Sequence, residues 1–253
     1  MNFWPCRAVL PDFVVIGAQK CASTSILSYI GQHSGVRLPR RKSTHFFDRE
    51  FDRGADWYAR QFPREWFGAR DWLTGESCPS YLFLPEVAPR MAALMPKARL
   101  ITILRDPVKR LISQYHHEKR KGRVPGDFSA YVAGSMTAAW PVSGELEHVL
   151  QQAGVPRGHY ADQLRHWQKH FPREQMLVVG FEDLIATPDA VMARIFAFLG
   201  LPPQKVDTSQ VLNSGSGKGE VMDAGLLEEL RQLYAEKNRG LAAIAGCDFS
   251  WLG

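Results

Sequence analysis

Three short apolar runs, each passing directly into a helical pattern, constrain this chain more than any other feature. Residues 12–17 read Asp-Phe-Val-Val-Ile-Gly, residues 99–104 Arg-Leu-Ile-Thr-Ile-Leu, and residues 176–181 Met-Leu-Val-Val-Gly-Phe. Runs this short and this continuous suit strands buried on both faces. After the first, Ile26, Leu27 and Ile30 fall on one face of a helix spanning 23–32. After the second, Asp106-Pro107 opens a helix to about Lys121, because Pro is pre-set for a first helical turn. After the third, Thr187-Pro188-Asp189 opens another, with Val191, Ile195, Phe196 and Leu199 on its apolar face.

Strand followed by helix, repeated, predicts βαβ units and an α/β domain with a mainly parallel sheet. Residues 72–76 are a weaker strand candidate, and 223–245 read as one or two helices. Residues 122–145 carry Gly, Ser, Ala and Pro with no clear period, and are expected to form an irregular insertion. The length of 253 residues suits a single domain over 1–253.

Charge and cysteine usage narrow the partners. The net charge of +5 is compatible with an anionic ligand, and no long basic run argues for nucleic acid. Cys6, Cys21, Cys78 and Cys247 are scattered, without the spacing of a disulfide framework or a zinc site. No apolar run is long enough to span a bilayer, and residues 1–11 lack the apolar core of a signal peptide. A soluble, cytoplasmic protein is expected.

Parallel sheets take ligands at the carboxyl ends of their strands, so the loops after Ile16, Leu104 and Phe181 are the places to look. The first is Gly17-Ala18-Gln19-Lys20-Cys21-Ala22-Ser23-Thr24-Ser25. A loop between a strand and a helix offers free backbone N–H groups and the positive end of a helix dipole. Lys20 adds a cation and Ser23, Thr24 and Ser25 add hydroxyls, a set suited to phosphate or sulfate. The loop is not a Walker A motif, whose Lys stands at the end after a Gly. The second segment is Arg105-Asp106-Pro107-Val108-Lys109-Arg110-Leu111-Ile112-Ser113. A guanidinium at a strand end can grip a phosphate with two parallel hydrogen bonds.

These two segments, in this order, resemble those of PAPS-dependent sulfotransferases, where PAPS is 3′-phosphoadenosine 5′-phosphosulfate. The likeness is greatest to the group that includes heparan sulfate sulfotransferases and their bacterial relatives. The resemblance runs from about Phe13 to Trp251 and implies a P-loop-NTPase-like central parallel sheet flanked by helices. It implies that Lys20, Cys21, Ala22, Ser23, Thr24 and Ser25 hold the 5′-phosphosulfate, with Lys20 near the bridging oxygen. Arg105 and Ser113 would hold the 3′-phosphate, and Arg110 would support the helix or loop. Ala22 stands where that family usually has Gly. Ser216-Gly217-Lys218-Gly219 is similar to the loop that closes on the nucleotide, making Lys218 and Gly219 further donor contacts. Gly158-His159-Tyr160, with Leu164 and Trp167, resembles the helix before the last strand.

One departure bears on catalysis. An acceptor must lose a proton as it attacks sulfur, so a base is needed within reach. The resemblance places a Glu at position 43, but the segment reads Lys42-Ser43-Thr44-His45-Phe46-Phe47-Asp48. His45, Asp48 and Glu76 are the replacement candidates, with His45 foremost because imidazole suits general-base work near neutral pH. No metal is expected. The expected activity is transfer of a sulfuryl group from PAPS, releasing PAP, to a hydroxyl or amine of a glycan or small metabolite. Ser43 leaves open a PAP- or glycan-binding relative without turnover. A kinase-like P-loop enzyme explains the first loop but not Arg105 and Ser113.

Overall fold

The computed structural model describes residues 6–66, 70–124, 126–136, 140–141, 153–209 and 222–252. Its centre is a four-stranded parallel sheet. The strands are β2 (Phe13–Gly17), β4 (Gly75–Ser77), β5 (Arg99–Leu104) and β6 (Met176–Gly180), in the order β4-β2-β5-β6. Two further residue pairs, β1 (Cys6–Arg7) and β3 (Glu65–Trp66), form a small antiparallel ladder. Every residue of β2 is buried, and β5 is buried from Leu100 onward, as continuous apolar runs require. Each such Val, Ile or Leu contributes about 1.5–3 kcal/mol by leaving water.

The register sets Phe13 beside both Gly75 and Arg99, and Leu100 beside Met176. Gly75 has a packing reason, since a Cβ there would strike the Phe13 ring and carbonyl. The weaker strand candidate begins three residues later than expected, at Gly75, with Leu73 making only an isolated bridge to Val36.

Helix α1 (Ser23–Ile30) follows β2, and α4 (Pro107–Arg120) follows β5. Asp106 caps α4, its carboxylate accepting from the N–H groups of Val108 at 2.8 Å and Lys109 at 3.1 Å. Between them lie α2 (Gly54–Ala59) and α3 (Val87–Leu94). Beyond α4 come α5 (Phe128–Ala133), α6 (Tyr160–Gln168), α7 (Phe181–Ala186), α8 (Pro188–Leu199), α9 (Ala224–Lys237) and α10 (Leu241–Ala245). Among the described residues no helix is long and apolar enough to cross a membrane.

The region expected to be irregular contains α5. Asp127 caps it by accepting from Ala130 N–H at 2.9 Å, and Phe128, Tyr131 and Val132 bury one face. That face joins Tyr115 of α4, Val155 and Tyr234 of α9 in a second apolar cluster, apart from the core around the sheet. A six-residue helix is too short for its period to stand out in sequence.

The strand order places the site. The chain passes from β2 to β4 on one side, then crosses to β5 on the other. The order reverses between β2 and β5, and a crevice opens at the carboxyl ends of strands at such a point. The loop after β2 and Arg105 after β5 flank that crevice, tied by Ala18 N–H donating to Ile103 O at 2.8 Å.

Candidate active site

The loop after β2 bends twice through left-handed backbone, at Lys20 (φ 69°) and Ala22 (φ 66°). A residue without a side chain adopts that conformation at no steric cost, which is a physical reason for the Gly usual at position 22. Ala22 is the N-cap of α1, with no side-chain cap and no acidic residue in the first turn. The first-turn N–H groups are thus left to face an incoming anion. Ser23 and Ser25 are buried within α1, while Thr24 and Lys20 are half-buried. The Cys21 thiol turns into the core, where burial pushes it up to about 12, so only its backbone borders the loop.

Lys20 sits among cations. Burial lowers its proton affinity first, Arg120, Lys121 and Arg105 lower it further, and Glu118 opposes them. Arg105 extends from β5 to this loop, its Nη1 3.5 Å from Lys20 O and its guanidinium 4.5 Å from the centre of the Phe181 ring. Its Nε is buried with no hydrogen-bond partner among the described residues. A buried, unpaired guanidinium nitrogen costs free energy until an anion satisfies it. Ser113 is half-buried further along α4. Arg110 is fully buried and donates to Gln114 Oε1 and Gly154 O, so it ties α4 to the segment before α6. Lys218 and Gly219 lie outside the described residues.

The acceptor-side candidates separate into two environments. His45 is itself left-handed (φ 57°) and its side chain is 31% exposed. Its Nδ1 lies 3.1 Å from Asp48 Oδ2, and Asp48 Oδ2 also accepts from Ser80 Oγ at 2.6 Å. Its Nε2 lies 3.4 Å from Ser43 Oγ. The Asp48 carboxylate thus holds the imidazole in one orientation. Glu76 is fully buried instead, accepting from Thr44 N–H and Tyr58 OH, each at 2.8 Å. Burial raises its proton affinity above the ordinary carboxylate range, against the hydrogen bonds from Thr44 and Tyr58. Its Oε2 anchors the 43–48 segment at Thr44 while Oε1 accepts from Tyr58 and Tyr81, and the side chain is buried.

Cys78 Sγ lies 3.3 Å from His45 Nδ1, so His45, Asp48 and Cys78 form a trio of nitrogen, oxygen and sulfur that could hold a metal ion. Burial, then Asp48 and Glu76, push the Cys78 thiol well above its ordinary value. Metal binding would have to displace that proton.

A cleft of about 210 Å³ is bordered by Gln19 of the loop after β2 and by His45, Ser80, Glu118, Lys121 and Arg157 among others. His117 of α4 also borders it. Gln19 is legible in sequence only as a member of the phosphate loop, and Arg157 not at all. Arg157 directly precedes a recognisable segment, but its burial is a tertiary fact with no local signal.

The fold is an α/β sheet of P-loop-like topology, with the loop after β2 and Arg105 flanking its switch point. Residues 10–216 match the sulfotransferase domain family, and the chain belongs to that family. Human heparan sulfate glucosamine 3-O-sulfotransferase 3A1 is 30% identical over 271 residues, covering 96% of this chain and 63% of that protein. Mouse bifunctional heparan sulfate N-deacetylase/N-sulfotransferase 3 is 33% identical over 240 residues, covering 91% and 26%. The chain thus spans less than two thirds of the length of these relatives. The crystal structure of a sulfotransferase from Alicyclobacillus acidocaldarius superposes with a TM-score of 0.77 at 30% identity, covering 96% of this chain and 99% of that one. A mouse sulfotransferase complexed with PAP shares the fold, with a TM-score of 0.57 at 14% identity, covering 93% and 89%.

Proposed function

We propose that this protein transfers the sulfuryl group of PAPS to a hydroxyl or amine, releasing PAP. The observation that carries the reading is the pairing, across the β2–β5 crevice, of the α1 terminus, which has no side-chain cap, with the Arg105 guanidinium, whose Nε lacks a partner among the described residues. Two anionic groups of one ligand suit two such seats. The first-turn N–H groups, Lys20 and Thr24 would hold the 5′-phosphosulfate, and Arg105 with Ser113 the 3′-phosphate. Lys218 and Gly219 remain donor contacts proposed from resemblance alone.

His45 takes the acceptor proton through Nε2 while Asp48 holds Nδ1. The bond from sulfur to the bridging oxygen breaks as the bond to the acceptor forms. The electron pair leaves on the phosphate oxygen beside Lys20, whose fixed charge favours the transition state over the ground state. The cationic work falls to Lys20 and the arginines, so the proposed reaction uses no metal. Ser43 in place of a Glu is compatible with turnover because His45 already has an orienting carboxylate.

Heparan sulfate appears in the names of the curated relatives, and two of those names specify transfer to a 3-oxygen and to nitrogen. A glycan hydroxyl or amine is therefore the first acceptor class to offer, with small hydroxylated metabolites second. Purified protein with sulfur-labelled PAPS and a panel of glycans, phenols and amines tests the reading. Label should pass to at least one acceptor, and to none in the Lys20→Ala variant. Binding of PAP without transfer to any acceptor would identify a non-catalytic relative instead.

A further inference from the structure

Arg157 is 3% exposed, and no carboxylate is paired with it among the described residues. It sits in the short turn Pro156–Gly158, just before α6. Its Nη1 donates to Gln19 Oε1 at 2.8 Å, and its guanidinium lies 4.9 Å from the centre of the Phe83 ring. Nε and Nη2 are both buried and have no hydrogen-bond partner among the described residues. These two nitrogens form one edge of the guanidinium plane, the fork that meets two oxygens of one tetrahedral or carboxylate anion. Arg157 borders the cleft together with His45 and Ser80, and its partner Gln19 adjoins Lys20 in the donor loop. Burial, with Arg110 as a second cause, lowers its proton affinity to about 9, the direction expected of a cation deprived of both water and counter-charge.

A desolvated cation without a counter-ion is retained at a cost, and a ligand anion would offset it. The position of Arg157 selects which anion. It borders the same cleft as His45, where the acceptor would lose its proton, and its hydrogen-bond partner Gln19 is the chain neighbour of Lys20, where the leaving oxygen would develop charge. Resting on the PAPS reading above, we infer that Arg157 seats the transferring sulfuryl group, its Nε–H and Nη2–H donating to two non-bridging sulfuryl oxygens. The bond from sulfur to the bridging oxygen breaks and the bond from acceptor to sulfur forms. The acceptor proton passes to His45, the electron pair leaves with PAP, and Arg157 keeps its own protons throughout. Its task is to hold sulfur on the line between the bridging oxygen and the acceptor atom.

PAP lacks the sulfuryl group, so comparing PAP with PAPS isolates this contact. Both are titrated by calorimetry against wild type, Arg157→Gln and Arg157→Lys, with turnover measured alongside. The expected result is PAP affinity within about threefold of wild type, PAPS affinity lowered at least about tenfold in Arg157→Gln, and kcat lowered about 10²–10³-fold. Arg157→Lys restores the charge but not the fork and should recover only part of kcat. If PAP and PAPS weaken together, Arg157 merely orders the Gln19 loop and the inference is overturned. If neither changes, it is overturned as well. Failure of wild type to bind PAP would instead remove the donor reading. Should Arg157→Gln not fold, inorganic sulfate titrated into PAP-loaded wild type and Arg157→Lys decides. Saturable binding weakened by the lysine supports the seat, and no sulfate binding, or binding indifferent to the lysine, contradicts it.

Discussion

His45 Nδ1 lies 3.1 Å from Asp48 Oδ2, and the contact closes over a left-handed turn that His45 itself makes. The carboxylate thereby fixes which face of the imidazole looks into the cleft. If Nε2 is the base, His45→Ala should lower kcat by about 10²–10⁴-fold with little change in PAP affinity. Asp48→Asn keeps the size but loses the orienting charge, and should lower kcat at least about tenfold. Added imidazole should restore part of the His45→Ala activity. A His45→Ala enzyme with near wild-type kcat would place the base elsewhere.

Ser43 Oγ is 3.4 Å from His45 Nε2, a long contact that an acceptor hydroxyl can replace. Ser43→Ala removes one weak hydrogen bond, worth about 1 kcal/mol or less. Its kcat should stay within about fivefold of wild type. A loss comparable to that of His45→Ala would mean that Ser43 itself handles the proton.

Glu76 has a structural signature. Glu76→Ala would leave Thr44 N–H and Tyr58 OH buried without an acceptor, costing about 2–4 kcal/mol of stability. Glu76→Gln keeps an acceptor oxygen but cannot ionise. The folded-state proton affinity of Glu76 is raised by burial, so folded protein binds more protons than unfolded protein as the group titrates. The stability of wild type relative to Glu76→Gln should therefore be greatest in acid and fall as pH rises through the raised range. Thermal melts of the two proteins across pH check the sign, and a difference that grows with pH would refute it.

The parts of this architecture legible in sequence are those whose cause is local. β2, β5 and β6 announce themselves because strands buried on both faces must be continuously apolar, and α4 because Asp106-Pro107 both caps it and starts it. Helix α3 carries Pro89 in its first turn, where the missing N–H has no intrahelical partner, so its sequence gives no clear helix signal. The position of β4 next to β2 depends on Gly75 fitting against Phe13, a contact between residues far apart in the chain. His45, Asp48 and Glu76 were all visible as candidates, yet what separates them is tertiary. One imidazole borders a cleft, while one carboxylate lies beneath Tyr58 and Tyr81. The left-handed turns at Lys20, Ala22 and His45 leave no mark in sequence, because none of the three is Gly.

His159 gives a second pH dependence. Burial, aided by Lys237, holds its imidazole down to about 4, and its Nε2 is buried with no partner among the described residues. Folded protein keeps it neutral while unfolded protein protonates it at an ordinary value near 6.5. The associated stability is fully present above that value and is lost as pH falls toward 4, amounting to about 3 kcal/mol at most. His159→Gln should show a shallower loss of stability over this window than wild type in chemical unfolding. Parallel curves would show that His159 is not the group responsible.

The donor site is tested most directly by calorimetric titration of PAP and ATP, without metal, into wild type and Arg105→Ala. Arg105 brings to the crevice a partly desolvated cation whose Nε has no partner among the described residues, and the loss of a charge-assisted phosphate contact is worth about 1.5–3 kcal/mol. The account predicts that PAP binds wild type, that ATP binds at least about tenfold more weakly, and that Arg105→Ala loses at least about tenfold in PAP affinity. Failure of wild type to bind PAP, or equal PAP affinity in Arg105→Ala, would contradict it.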